Sequence, residues 1–303
     1  MHKRTAIIVI IMVACMQISI GETATTNADV ENVIPEIALI ELNGGNDITL
    51  TANTTTEIWG SVVVSDDNGC ENILGVNSTL FMTSVGTDAP DDKNYHYTSV
   101  CIRSDDCTPG GADLTVSYEC GYNLTWYAEP TDAGSANEAD DWTFRAVAYD
   151  SVGSNANTDV KELRTLTAIS LEATSINFGV IALNSNTGSV NQNLTIFNHG
   201  NEPIDLELSG YGAAPEDGAC MICTTGSVNV NYLEYSDMDF SYGAGNDLSA
   251  TPSAFDFDLN RGTEVLERPS KKIRFGLGFP ASGLSGTCSG TLLITAVSDP
   301  NLD

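Results

Sequence analysis

Two stretches of this chain gather hard oxygen ligands within a few positions. Asp66-Asp67-Asn68-Gly69 with Glu71 is one; the run from Asp132 to Asp141, which supplies Asp132, Glu138, Asp140 and Asp141, is the other. Calcium takes roughly six to eight oxygens from a loop able to wrap it, and Asp, Asn and Gly in one turn offer both ligands and flexibility. Neither stretch has the alternate-ligand spacing of an EF-hand. The plain alternative is a turn whose Asp and Asn bond the local backbone while the charge faces water. Paired carboxylates could also serve acid–base hydrolysis, which needs environments that push two pKa values apart. With 41 Asp and Glu in the chain, close pairs arise by chance and proximity selects none of them. Beyond the leading segment the histidines are His96 and His199, both in polar, turn-like sequence where an imidazole is expected to face solvent. Serine-elbow, His-Glu-x-x-His and phosphate-loop patterns are absent. Gly276-Leu277-Gly278 lies between strand-like runs, with no helix following to present its N-terminus to phosphate. Catalysis therefore has no anchor in the sequence, and no catalytic residue is assigned.

The eight cysteines fall into groups. Cys15 sits in the leading apolar run. Cys70, Cys101, Cys107 and Cys120 form a second set, which an oxidising compartment would join in one of three connectivities. The short separation of Cys101 and Cys107 favours their local pairing, leaving Cys70 with Cys120. Cys220-Met221-Ile222-Cys223 has redox-motif spacing without βαβ context, and zinc would want a second pair where Cys288 alone remains. A structural disulfide between Cys220 and Cys223 is expected, the odd cysteine being free or bridging to another molecule. Four Asn-x-Ser/Thr sequons occur; Asn53 and Asn77 are the expected glycan sites, because Asn123 and Asn193 open predicted strands.

Charge bounds the partners. Twelve Lys and Arg against 41 Asp and Glu leave −29. A field of that sign repels nucleic acid and an anionic membrane surface, and keeps an extracellular protein soluble. Half of the basic residues beyond the leading segment fall at Arg261, Arg268, Lys271, Lys272 and Arg274. Such a strip could meet the acidic first half of a neighbouring copy, head to tail, or guard an edge strand. His2-Lys3-Arg4 followed by the apolar run Ala6 to Ile20 reads as a secretion signal, with cleavage after Gly21 or Ala24. Two other readings are a retained anchor and a lipoprotein box at Met12-Val13-Ala14-Cys15, the latter weakened by the apolar run continuing past the cysteine.

These residues need a scaffold, and the scaffold reads as strands. Glu57 to Val64, Leu114 to Tyr118, Leu124 to Tyr127 and Trp142 to Tyr149 are β-rich runs separated by turns. Ile176-Asn177-Phe178, Leu194 to Phe197, Ile204 to Leu208, Ser227 to Val230, Ile273 to Pro280 and Thr291 to Thr295 continue the pattern, with a polar region up to 260. No run keeps a 3.6-residue period. The fold class is all-β: two tandem immunoglobulin-like β-sandwich domains after a signal segment, with bounds 1–24, 25–165 and 166–303 and a junction at Lys161 to Thr165.

Phe178-Gly179, a polar turn and then Asn198-His199-Gly200-Asn201 resemble the immunoglobulin-like modules of the abnormal-spindle/hydin type. The Trp142 strand, ending in Asp150-Ser151-Val152-Gly153, resembles the last strand of secreted bacterial and archaeal immunoglobulin-like domains. The closing pattern of Phe275-Gly276-Leu277, Pro280, a Gly286 to Gly290 turn and a terminal strand is similar to two-module surface proteins of uncultured bacteria and archaea. This resemblance covers most of residues 55–295. It implies an architecture and a place outside the cell; with the absence of catalytic motifs, the leading reading is a secreted, non-enzymatic structural or adhesive protein of the cell surface, without a cofactor, contacting surface proteins or glycans and able to self-associate. The alternative is a calcium-dependent module binding carbohydrate or envelope polymer through loops of the first domain, with Tyr95 and Tyr97 as exposed aromatics. An extracellular hydrolase is the third reading.

Overall fold

The computed structural model describes residues 24–110, 113–299 and 302. Expectations placed on residues 1–23, Cys15 among them, lie outside the described residues. Residues 33–303 form one compact unit, and the segment up to Asn32 falls outside it. Among the described residues there is no α-helix, only short 3-10 turns at Asn43–Gly45, Cys70–Asn72 and Val230–Tyr232.

The first half contributes β1 (Glu36–Leu42), β2 (Thr55–Ser65), β3 (Gly75–Met82), β4 (His96–Val100), β5 (Ile102–Arg103), β6 (Thr115–Thr125), β7 (Trp142–Tyr149) and β8 (Ser154–Lys161). They form two antiparallel sheets in the orders β1-β2-β6-β5 and β4-β3-β7-β8. β2 and β6 pair along their whole length, from Thr55 opposite Thr125 to Ser65 opposite Thr115. Their period-two writing explains the register. Ile58, Gly60, Val62 and Val64 are buried on one strand and sit opposite the buried Tyr122, Cys120, Tyr118 and Val116 on the other. Slipping by one residue would turn this whole set to water. Facing them, β3 and β7 bring Val76, Leu80, Trp142, Phe144 and Ala146 into the same core. The sheets meet at Tyr122, which packs edge-on against Phe144 and donates its hydroxyl to Ser78 Oγ. A Cβ at Gly60 would overlap the Phe144 ring, so glycine is what lets the sheets close there.

The second half contributes β9 (Ile169–Leu171), β10 (Gln192–Asn198), β11 (Ile204–Tyr211), β12 (Ala219–Thr225), β13 (Ser227–Asn229), β14 (Leu233–Ser236), β15 (Asn246–Asp247), β16 (Ser253–Leu259), β17 (Ser270–Leu277), β18 (Ser285–Ser289) and β19 (Thr291–Ser298). Sheet orders are β15-β14-β17-β10-β9, β16-β11-β19 and β13-β12-β18. A second, separate core lies between them, built from Ile196, Ile273 and Phe275 on one side and Leu206, Leu208 and Phe257 on the other. The fold is thus all-β, two sandwiches in tandem.

Several predicted elements are corrected. The two runs Leu114 to Tyr118 and Leu124 to Tyr127 belong to one long strand, β6, because Glu119, Gly121 and Asn123 lie on its outer face and keep the alternation. Ile176 to Phe178 is not a strand. The polar region before 260 holds β14, β15 and β16, whose Phe255-Asp256-Phe257-Asp258-Leu259 alternates buried and exposed residues.

Trp142 is fully buried and donates its indole N–H to Glu129 O at 2.9 Å. Trp142→Ala should destabilise the first sandwich by about 3–5 kcal/mol, seen as a lower denaturant midpoint; an unchanged midpoint would contradict this core.

Candidate functional site

The acidic loops are held by their own hydrogen bonds. Asp66 is buried; its Oδ1 accepts from Asn68 N at 2.8 Å, while its Oδ2 is buried without a hydrogen-bond partner. Asn68 Oδ1 accepts from Val33 N, and Glu71 Oε1 from Gly110 N. In the second loop the four acids face different partners. Asp132 accepts from the backbone and hydroxyl of Thr165, Glu138 from Gly134 N, and Asp140 from Ser84 N and the N–H of Asp141. The Asp141 backbone carbonyl holds Thr83. The structure therefore does not bring Asp132, Glu138, Asp140 and Asp141 together around one point.

Among the described residues, three carboxylates do converge at Asp205, Asp256 and Asp258, which the sequence reading did not single out. They sit where the register of β11 on β16 shifts, and Asp205 Oδ1 accepts from the N–H of Phe257 and Asp258. The charges of Asp258 and then Asp205 push the Asp256 carboxyl above the usual range. Cys70, Glu71 and Cys107 also lie close, but the two sulfurs are bonded to each other.

Both histidines are buried, against expectation. His96 is on β4, with Nδ1 3.0 Å from Asp91 Oδ1 and Nε2 3.2 Å from the Thr87 carbonyl. His199 lies against Trp126 and Phe197, with Nε2 2.8 Å from Ser170 Oγ. Burial, helped by Arg268, holds its pKa below the usual histidine range. Tyr97 is not a surface aromatic either: it donates to Lys93 O at 2.6 Å, and burial pushes its pKa up to about 12. Tyr95 is partly buried against the first core.

The disulfides are Cys70–Cys107, Cys101–Cys120 and Cys223–Cys288. This corrects the expected Cys101–Cys107 and Cys70–Cys120 pairing. Cys101 ends the run where the chain leaves β4 for the opposite sheet, and that corner faces Cys120 in β6, not the loop cysteine. The Cys220–Cys223 link is also corrected. Both residues belong to β12, and Cys223 sits directly opposite Cys288 of β18. Cys220 is left as a buried thiol whose pKa burial raises to about 12. Asn53 lies exposed in a turn at φ 57°, and Asn77 is exposed on β3.

The densest polar constellation lies between the two cores. Asn198-His199-Gly200-Asn201, conspicuous in sequence, is buried there together with Glu202. Asn201 Oδ1 accepts from Leu166 N at 2.7 Å, and its amide donates to Arg164 O. Glu202, 1% exposed, accepts from Ala136 N, the Thr165 hydroxyl and the Ser298 hydroxyl. Leu166 O approaches Gly200 so closely that a Cβ there would overlap it. On the other flank Arg261 pairs with Glu129 and donates to Tyr127 O at 2.9 Å, and Trp126 lies over Gly262. The basic strip is largely satisfied inside the chain, since Lys271 pairs with Asp237 and Arg274 with Asp239. Glu202 was missed because one carboxylate among 41 carries no sequence mark; only its place after the Asn-x-Gly-Asn turn could have flagged it.

No family model matches this chain, and no curated protein does. Among solved structures, a titin substructure matches at 10% identity over 88% of this chain and 97% of its own, with a TM-score of 0.29. A chimeric titin Z1Z2 tandem matches at 11% identity over 87% and 97%, TM-score 0.21. AggA, the major subunit of aggregative adherence fimbriae type I from Escherichia coli, matches at 13% identity over 45% and 97%, TM-score 0.18. Likenesses this distant leave the fold to rest on the strand pairings above.

Peptide mapping without reductant should find the three bridges named and Cys220 as a thiol; a Cys101–Cys107 peptide would contradict the structure. Asp217 gives a pH test. Its carboxylate accepts from the N–H groups of Ala213, Ala219, Gly212 and Ala214, which holds its pKa down at about 2. Its stabilisation is therefore complete above the unfolded carboxylate value of roughly 3.9 and is lost as pH falls toward about 2. Asp217→Asn should lower stability at neutral pH and shrink the loss on acidification; an unaltered acid response would contradict this loop.

Proposed function

We propose that this chain is a secreted, non-enzymatic structural or adhesive protein of the cell surface, working as a stiff two-sandwich strut. The carrying observation is the polar junction: Glu202, Asn201 and Arg261 tie the two cores together through buried, directional hydrogen bonds. Tandem sandwiches joined by a bare linker would swing independently, whereas bonds on both flanks of the joint hold one orientation. Three disulfides support life in an oxidising compartment. The burial of both histidines, and the engagement of the loop carboxylates with backbone, favour scaffolding over chemistry. The resemblance to secreted immunoglobulin-like surface modules agrees with this reading, with surface proteins or glycans as partners. One observation favours a calcium-dependent binding module instead: the unpartnered, buried Oδ2 of Asp66 in a loop rich in oxygen donors.

Co-sedimentation of the exported chain with envelopes of the producing cell, first with calcium and then with chelator, separates these. Binding that survives chelator is expected; binding lost with chelator would select the calcium-dependent module, and no binding would contradict a surface role. Arg261→Ala removes the charged partner of Glu129, which keeps only the Asn137 amide, and should cost about 1–3 kcal/mol. In calorimetry it should split unfolding of the two cores, and a single unshifted transition would contradict the stiff joint.

A further inference from the structure

The margin of the second sandwich from Ser285 to Ser298 is open. β18 is hydrogen-bonded only to β12 and β19 only to β11, so both are outermost strands. No backbone hydrogen bond joins the far side of either to another described residue. The core-facing side chains of β19 are correspondingly half-covered. Leu292, Ile294 and Ala296 are only partly buried, whereas Leu206 and Leu208 on the neighbouring β11 are fully buried. Along this edge run two adjoining cavities of about 340 and 430 Å³. They share Ile176, Phe178 and Met221, and Leu292 and Ile294 line the larger. The far wall is the 171–181 segment, where the sequence predicts a strand and the structure has none beyond Leu171.

Charge sets this place apart. Residues 173–201 and 275–298 contain no Asp, Glu, Lys or Arg, in a chain with 53 of them by the sum of 41 and 12. These two runs supply most of the groove, and no charged side chain lines it. Exposed edge strands are ordinarily guarded by Lys, Glu or Pro against pairing with another chain. Ser285 to Ser298 carries no such guard.

The chain also supplies a strand to fill it. Residues 24–35 carry no strand or helix, and Ala24 to Val30 are exposed. Ala28-Asp29-Val30-Glu31 alternates small or apolar with acidic residues, and Val30 is 86% exposed. Ala24 to Val30, fully extended, reach roughly 23 Å, close to the roughly 26 Å of an eight-residue strand such as β19, before the chain is held at Val33 by Asn68. This segment carries Asp29 and Glu31 and no base, so an uncharged edge repels it less than the acidic bulk of another copy does. We propose that the leading segment of one copy adds as a strand to the β18–β19 edge of the next, with Ala28 and Val30 entering the groove. Strand addition of this kind takes affinity from main-chain hydrogen bonds and register from alternate side chains. Because donor and acceptor surfaces differ, the contact is head-to-tail and builds rings or filaments. The proposal rests on the reading of the chain as a surface structural protein.

The test uses the full chain exported with its leading segment, followed by light scattering, native mass spectrometry and negative-stain microscopy. Concentration-dependent oligomers are expected, and a synthetic peptide of residues 25–35 should dissociate them. Val30→Asp, at an exposed position that leaves folding intact by circular dichroism, should weaken association at least tenfold. Mixing Asp29→Cys with Leu293→Cys chains, which places both thiols on the outward face when Ala28 and Val30 enter the groove, should yield a disulfide between copies. A chain that stays monomeric at every concentration and ignores the peptide overturns the proposal, as do oligomers indifferent to Val30→Asp. A double variant, Asp29→Cys with Leu293→Cys, that links only within one copy overturns it as well. Envelope binding by a strictly monomeric chain would sink strand addition while leaving the surface role intact.

Discussion

A β-sandwich pairs the backbone of its strands and leaves the N–H groups of its loops to find acceptors elsewhere. In this chain carboxylates meet that demand. Asp66, Asp92 and Asp150 each accept from an N–H two positions on. Asp113 holds Thr108 N, Asp159 holds Leu42 N across two strands, and Asp217 gathers the whole turn between β11 and β12. Glu234, itself buried, accepts from Gly243 and Gly245 and so fixes the long connection between β14 and β15. Much of the acidity that dominates the composition is thereby structural, a set of internal acceptors that only incidentally leaves the surface negative.

The same device joins the two sandwiches. Glu202 and Asp132 accept from the segment around Thr165, and Glu129 holds Arg261 from the second half. A junction of charge-assisted bonds is directional where apolar contact is not, which suits the structural role proposed above. Against that background the uncharged margin along β18 and β19 is a departure from the rule the rest of the surface follows. Many loops elsewhere are settled by an acid; here the backbone edge and the apolar side chains behind it are left open together.

The fold was largely legible where one face of a strand is buried. β2, β7 and β11 alternate well enough that the period locates them, and Trp142 and Leu206 fall in the cores accordingly. β16 was missed: Phe255 and Phe257 alternate with aspartates, but the surrounding polar composition masked that period. The cysteine pairing was not legible, because it depends on which strands lie opposite one another: Cys223 meets Cys288 across 65 residues of sequence. Nor were the functions of individual acids. Asp132 and Asp140 read as one ligand set from spacing, yet their side chains serve different segments, Thr165 and Ser84. The Asn198 to Asn201 turn was visible as a motif, and its burial between the cores supplies the physical reason for its composition.

The central claim is that carboxylates hold the loops of an otherwise strand-paired fold. Amide hydrogen exchange measured residue by residue, at neutral pH and again in acid, tests it most directly. The account predicts protection at Gly243 and Gly245, held by Glu234, and at Ala213 and Ala219, held by Asp217, at neutral pH, with the Ala213 and Ala219 protection falling as Asp217 takes up its proton, while amides in the β2–β6 pair remain slow. Free exchange at those loop amides at neutral pH, or protection of Ala213 and Ala219 that is indifferent to acid, would contradict it.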